Sequence, residues 1–396
     1  MSKLNGKVNS VKLVVSNSQC MSCGMCKSAC PREAISMVYT DDGFFRPTIN
    51  EMKCCDCGIC LRTCPAKHQE RTDLIGNYIR LCLAHSANSD IRHDATSGGV
   101  INSLIRYLLD KNLVEAVLLT QYSATSVIEA EPNIVTKNTE YVLINKTRDF
   151  ASRYVSVPVL SELANYVRQY KKIAVVGTPC QIKAVTLWGG GKSNVDIFKI
   201  GLTCSGGMSY KATEEYKRNQ KLKVSKMYYR GNGWPGTNCL ITSDKKIEFG
   251  HQGSLFERMF SSQIFKNPGC RRCMDHFAEF ADISFCDFWN SKELESEKEG
   301  NSCVIIRNQK FLHIFDEMQN DGYTEVVREL DEDELIKTQY NVLLHKKGNV
   351  REKREYRLFT MLLDTVFKHR IYKLFNIRVY RKFCSYYNKI CSNSHI

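Results

Sequence analysis

Cysteine carries most of the reactive chemistry in this chain, and its spacing says which chemistry. The run Cys20-x-x-Cys23-x-x-Cys26-x-x-x-Cys30-Pro31 recurs as Cys54-x-x-Cys57-x-x-Cys60-x-x-x-Cys64-Pro65. In such a run three closely spaced thiolates wrap one iron–sulfur cubane, and the fourth, beside a proline, reaches across to the other cluster. The spacing therefore assigns Cys20, Cys23, Cys26 and Cys64 to one 4Fe-4S cluster, and Cys54, Cys57, Cys60 and Cys30 to a second. Two half-modules that each supply a ligand to the other must fold together. Zinc sites group their ligands in pairs, and disulfide frameworks belong to oxidising compartments; neither suits a triplet with a remote fourth. Cys55 lies inside the second run but off its spacing, and is read as a bystander.

Two further cysteines sit where strands meet helices. Residues 172–176 read as a buried strand that runs into Gly177-Thr178-Pro179-Cys180-Gln181 and then a helix. A helix N-terminus lowers the pKa of a thiol, which suits a redox-active thiolate or a metal ligand; a structural buried cysteine is the plain alternative. Residues 195–203 repeat the strand-into-corner pattern and end in Cys204-Ser205-Gly206-Gly207, ahead of a helix over 210–219. Cys270-x-x-Cys273 follows. Cys180, Cys204, Cys270 and Cys273 make four thiolates, enough for a third cubane or a tetrahedral zinc, and spacing leaves both open. The nine histidines show no H-x-x-H or H-E-x-x-H pairing.

The elements that must position these residues are legible in outline. Residues 34–39 and the turn Asp41-Asp42-Gly43 read as a hairpin between the two cysteine runs. A polar linker follows at 67–73. From residue 78 helical and strand patterns alternate, the mark of an α/β domain. Ala95-Thr96-Ser97-Gly98-Gly99 leads into an amphipathic helix over 100–109, with Ser97 as its expected N-cap and the paired glycines offering amides to a phosphate. Residues 114–122 read as a strand, and a helix begins near Pro158. Gly231-Asn232-Gly233-Trp234-Pro235-Gly236 matches the dinucleotide fingerprint letter for letter. That fingerprint works only between a strand and a helix, and residues 237–242 continue as β-type sequence, so the expectation is a wide turn between strands. Residues 281–289 and 304–306 read as strands, and 311–318 as a helix.

Composition sets the outer limits. The chain has 396 residues, 43% of them hydrophobic, and 19 cysteines. Residues 1–19 are polar, without the apolar core of a secretory signal. No run approaches the ~20 apolar residues of a membrane-spanning helix. A reduced, cytoplasmic protein is expected. The formal charge of +14 is uneven: residues 351–396 hold eleven Lys or Arg against Glu352, Glu355 and Asp364, interleaved with Phe359, Leu362, Phe367, Tyr372, Phe375 and Tyr380. The first expectation is a C-terminal helix packed on its own domain with a solvated basic face. Peripheral membrane contact is the second, and nucleic acid is not expected, since no nucleic-acid fold signature accompanies the charge.

Taken together, Ser97-Gly98-Gly99, Ser152-Arg153-Tyr154-Val155, Gly177 to Gln181, Gly201-Leu202-Thr203-Cys204, Arg230 with Gly233-Trp234, Cys270-x-x-Cys273, and Asp282-Ile283-Ser284 with Asp287-Phe288-Trp289 form an ordered series. The series resembles the coenzyme F-420 hydrogenase/dehydrogenase beta-subunit family over roughly residues 78–330, with a two-cluster ferredoxin domain in front. The resemblance implies an FAD-containing domain with its own 4Fe-4S cluster, ligated here by Cys180, Cys204, Cys270 and Cys273. It also implies FAD contacts at Thr96, Ser97, Gly98, Gly99, Arg153, Tyr154, Gly177, Thr178, Pro179 and Gln181. This chain departs from the family pattern at Cys286, where glycine is usual, and at Arg153, where lysine is usual. Arginine keeps the charge but not the compact donor.

The expected architecture is an α+β ferredoxin-like two-cluster module (1–72), an α/β flavin-binding domain with a mixed sheet (78–330), and a helical basic C-terminal extension (331–396). The expected function is a flavin-dependent iron–sulfur oxidoreductase. It moves electrons between ferredoxin-type clusters, a third cluster and FAD, in either direction, and exchanges a hydride with an organic small molecule such as coenzyme F-420 or a polysaccharide-pathway intermediate. Its expected partner is a one-electron carrier or redox protein. The alternative is an electron-transfer subunit that feeds a partner enzyme without substrate chemistry of its own.

Overall fold

A computed structural model describes residues 9–70, 73–139, 147–151, 153–189 and 195–392. At the N-terminal end, β1 (Ile35–Tyr39) and β2 (Phe45–Ile49) form the expected antiparallel hairpin between the two cysteine runs. Each run closes on a four-residue helix, Met25–Ser28 and Ile59–Arg62, entered through a glycine in the left-handed region: Gly24 at φ 88° and Gly58 at φ 72°. The residues before the second cysteines, Ser22 and Asp56, are also left-handed, at 61° and 52°. The sequence repeat is thus a backbone repeat.

The central body is built on β3 (Arg80–Ser86), β4 (Ala116–Tyr122), β5 (Ala130–Thr136), β6 (Lys172–Gly177) and β7 (Asp196–Leu202). A separate three-stranded antiparallel sheet comes next, made of β8 (Lys226–Tyr228), β9 (Thr237–Ile241) and β10 (Lys246–Gly250). The chain then returns with β11 (Ile283–Asp287), β12 (Ser302–Ile306) and β13 (Thr324–Glu329), which complete an eight-stranded mixed sheet in the order β13-β3-β12-β11-β7-β6-β4-β5. β4, β6, β7 and β11 run parallel, while β12 is antiparallel to both β11 and β3. The C-terminal ends of β3, β4, β6, β7 and β11 therefore share one edge, where ligands gather in open α/β sheets.

Side chains alternate across this sheet with the period of two that a strand imposes. Cys82, Ala84, Val117, Leu119, Ala174, Val176, Val304 and Ile306 face one layer, with Leu104, Leu108, Phe311 and Phe315 from helices Val100–Asp110 and Gln309–Asn320. On the other face Ala116, Leu118, Ile173 and Val175 pack with helices Leu163–Gln169 and Pro179–Trp188, and with Met25 of the N-terminal module. Leu81, Leu83, Cys303 and Ile305 meet Leu335 and Leu343 of helix Glu332–Lys346. The two cysteine-bearing parts are thus packed as one piece. A Cβ at Gly24 would stand 2.8 Å from Pro158 O and Ser161 N, so only glycine admits this approach.

The C-terminal extension is helical, as expected, through Glu332–Lys346, Arg354–Lys368 and Ile377–Ser392. Tyr356, Phe359, Leu363, Val366, Tyr380 and Tyr387 join Tyr216, Phe256 and Phe265 in a second core beside the small sheet. The tail packs on its own chain along one face. The G-x-G-x-x-G stretch joins β8 to β9 as a loop, in line with the sequence reading. Among the described residues no helix is long and apolar enough to cross a membrane.

Candidate metal and cofactor centre

Cys20, Cys26 and Cys64 lie around Cys23, and Cys30, Cys54 and Cys57 around Cys60. Burial, then the thiols of Cys64, Cys26 and Cys20, hold Cys23 well above the ordinary thiol pKa. Burial raises Cys60 as well, with Cys30, Cys57 and Cys54 adding to it against a lowering hydrogen bond from Val11. Cys64 thus neighbours the first triplet and Cys30 the second, with Cys60 also close to Cys26 and Cys64. The second set also lines a small surface pocket with Asn9, Pro31, Ile35 and Gly58. Backbone amides point at sulfur: Ala34 N–H donates to Cys30 Sγ at 3.3 Å and Ser22 N–H to Cys20 Sγ at 3.5 Å. Convergent thiols with amide donors suit an anionic cubane, whose cations favour the deprotonated sulfur that burial alone opposes.

The third set comes together from three different places. Cys180 is the second residue of helix Pro179–Trp188, held by a capping box in which the Thr178 amide donates to Gln181 Oε1 at 2.8 Å. Cys204 follows β7, its amide bonded to His276 O at 3.0 Å. Cys270 lies in the turn Pro268–Arg272 and accepts from Gly207 N–H at 3.4 Å, with Cys273 just after it. Burial first, then Cys23, Cys270 and Cys273, hold the Cys180 thiol well above its ordinary value. Burial pushes Cys270 up to about 11, with Cys204 and Cys273 adding to it. Cys23 belongs to the N-terminal module, so the third thiol group abuts the first. Among the described residues, no three His, Cys, Asp or Glu side chains close on one point as ligands of a single ion do.

A buried cation accompanies this set, and sequence reasoning missed it. Lys346 Nζ lies 3.4 Å from Cys273 Sγ and donates to Asp275 O at 2.7 Å. Burial lowers its pKa, but Cys273, Cys204 and Cys270 outweigh that and hold the ammonium above its ordinary value. Lys266 is buried under Gly206, and burial together with the Lys346 charge pushes it down to about 7. A signal was available: Lys346 continues the buried face Leu335–Gln339–Leu343 of its helix, where lysine is out of place.

Along the same sheet edge, Arg230 is 3% exposed and meets Thr96 and Tyr154 of the expected cofactor residues. It pairs with Asp287, donates to Thr96 O at 2.6 Å, and lies 5.1 Å from the ring centroids of both Trp234 and Trp289. Ser97 does not cap the following helix. Gly99 holds the cap position at φ 75°, and Ser97 Oγ donates instead to Asn301 O at 2.8 Å. The Gly98 amide, which the sequence reading assigns to a phosphate, donates to Ser302 Oγ at 3.0 Å. A Cβ there would stand 2.7 Å from Ala84 O and Ser302 N, so this glycine is required by strand packing. Gly177 ends β6, and Gln181 Nε2 ties the corner to Val157 O at 2.9 Å.

Arg153 is 5% exposed and donates to Met227 O and Asp149 O, both at 3.1 Å. Tyr154 is left-handed at φ 58° and its ring meets Tyr229, Phe256, Phe260 and His251. Arg148 and Lys226 join Arg153 around the rings of Tyr122 and Tyr228. Arg148 Nε and Nη2, Arg153 Nε and His251 Nδ1 are buried without hydrogen-bond partners. The unsatisfied N–H groups of Arg148 and Arg153 fit a phosphate-bearing cofactor such as FAD. Arg148 and Lys226 carry no local motif and were not legible in sequence.

Comparison with known proteins shows the family. The family profile described as coenzyme F420 hydrogenase/dehydrogenase, beta subunit N-term, matches residues 81–164, and the profile for the C terminus of the same beta subunit matches 170–332. A 4Fe-4S dicluster domain matches 19–68. The F420-dependent formate dehydrogenase subunit beta of Methanocaldococcus jannaschii is 24% identical over 254 residues, 63% of this chain and 62% of that protein. The coenzyme F420 hydrogenase subunit beta of Methanosarcina barkeri is 25% identical over 264 residues, 63% of this chain and 82% of the relative. A chain of the F420-reducing [NiFe] hydrogenase complex from Methanosarcina barkeri shares the fold, with TM-score 0.54 at 20% identity, over 72% of this chain and 96% of that one. This chain belongs to the coenzyme F420 hydrogenase/dehydrogenase beta-subunit family and carries a 4Fe-4S dicluster domain ahead of the family's two parts.

Proposed function

We propose that the chain is an iron–sulfur flavoprotein oxidoreductase that passes electrons between its N-terminal clusters, a third cluster and FAD. The observation that carries this reading is the adjacency of Cys180 to Cys23, which sets the third thiol group against the first. In this reading Cys20, Cys23, Cys26 and Cys64 hold the inner cluster, and Cys30, Cys54, Cys57 and Cys60 hold the outer. Cys180, Cys204, Cys270 and Cys273 hold the third. Thr96, Ser97, Gly98, Gly99, Arg153, Tyr154, Gly177, Thr178, Pro179 and Gln181 border the FAD, with Arg148 and Lys226 as further cations for its phosphates. FAD supplies exchange between one-electron carriers and a two-electron hydride. The Thr178–Gln181 capping box fixes the corner that carries Cys180, and the Trp234 and Trp289 rings exclude water beside Arg230. The organic substrate class is a hydride donor or acceptor such as a deazaflavin, after the F420 in the relatives' names.

Cys180→Ser tests the modular arrangement. The variant should lose about four of about twelve irons and keep the ferredoxin-type pair; loss of all clusters, or of none, contradicts the reading. A second reading, an electron-transfer subunit feeding a partner, is favoured by the relatives' names as subunits of larger enzymes. Steady-state reduction of a small molecule by the isolated chain would contradict it.

A further inference from the structure

The C-terminal helices turn two unusual faces outward. Helix Arg354–Lys368 buries Tyr356, Phe359, Leu363 and Val366, yet exposes a second apolar stripe: Leu358 at 55%, Met361 at 65% and Leu362 at 49%. The turn Ile371–Leu374 leaves Leu374 84% exposed, beside Arg370 and Lys373. Helix Ile377–Ser392 buries Tyr380, Cys384, Tyr387 and Cys391. Its opposite face carries Arg378, Arg381, Lys382 and Lys389, all exposed, because positions three, four and seven apart share a face. Among the described residues none of Arg354, Arg357, Lys368, Arg370, Lys373, Arg378, Arg381, Lys382 or Lys389 reaches a carboxylate. No acid lies between residue 365 and the end of the chain, and Asp364 is committed to Arg271.

We propose that this helix pair and the turn between them dock on an anionic lipid surface, with the turn and the Leu358–Leu362 stripe entering the headgroup boundary. The charge argues for lipid over a protein partner. Interface cores between proteins are depleted of lysine, whereas a basic amphipathic helix with exposed Leu and Met is the usual interfacial membrane element. Long Lys and Arg stems lie along apolar surface while their heads reach phosphate oxygens. The unpaired cations lose no internal partner on docking.

The test is flotation of the full chain with vesicles of phosphatidylcholine alone and of phosphatidylcholine mixed with phosphatidylglycerol. Binding is expected only to the mixed vesicles and should weaken at high salt. Arg370→Gln with Lys373→Gln should weaken it about five-fold per cation removed. Leu358→Ser, Leu362→Ser and Leu374→Ser together should also weaken it at unchanged charge. All these positions are exposed, and unchanged iron content confirms that each variant is folded. Equal binding to neutral vesicles, no binding to anionic ones, or a self-association abolished by the leucine variants would each overturn the proposal; the last would make a second copy the occupant.

Discussion

Replacing Lys346 by methionine removes a buried charge beside the third cysteine group and keeps most of its volume. A unit charge 3.4 Å from a thiolate sulfur interacts by about 5 kcal/mol at an effective dielectric constant of about 20. An electron added to a cubane is shared over the whole cluster, which reduces the difference between redox states to about 2 kcal/mol. At about 59 mV for each tenfold change, that lowers the one-electron potential by about 90 mV. The direction follows from charge alone: a lost cation makes the reduced, more negative state less favourable. Potentiometric titration followed by electron paramagnetic resonance reads this directly, with the ferredoxin-type clusters as internal controls. Lys346→Arg keeps the charge and should stay much closer to the wild-type potential. A Lys346→Met potential within about 20 mV of wild type, or above it, refutes the electrostatic role.

Two further outcomes concern packing and pH. Gly201→Ala on β7 would place a Cβ 2.5 Å from Ala278 Cβ and 2.9 Å from Ala281 Cβ. Urea unfolding should therefore show a loss of about 1–3 kcal/mol. Burial, with Arg230 nearby, pushes His251 down to about 3 from its ordinary 6.5. The folded chain keeps this imidazole neutral while the unfolded chain protonates it, so stability falls as pH drops through 6.5 and continues to fall toward 3. His251→Gln should flatten that loss by about 2 kcal/mol between pH 6.5 and 5, read as the difference from wild type in urea midpoints. Equal slopes for the two proteins would contradict the assignment.

Much of the candidate site was legible because cysteine spacing and strand-to-helix corners are local features. The two cysteine runs and the corner at Gly177–Gln181 needed no long-range knowledge. The loop at Gly231–Gly236 was separable from a nucleotide fingerprint by the β-type residues 237–242 after it. The failures have two causes, one local and one long-range. Ser97 looked like a cap because serine so often is one, but a left-handed Gly99 already ends the loop and leaves the hydroxyl to Asn301. Pairing of β13 with β3 across more than two hundred residues, and the arrival of Lys346 beside Cys273, depend on tertiary packing that no short window encodes. The basic tail's charge was visible at once; that half of it is core, through Phe359, Leu363 and Tyr380, required the inner faces to be seen against the small sheet.

The central claim is that Cys180, Cys204, Cys270 and Cys273 hold a third cubane in a flavoprotein. Counting iron, acid-labile sulfide, zinc and extracted flavin in anaerobically purified chain tests it most directly. The expected result is roughly twelve irons, four for each of three cubanes, with one FAD. About eight irons with one zinc, or no flavin, would contradict it.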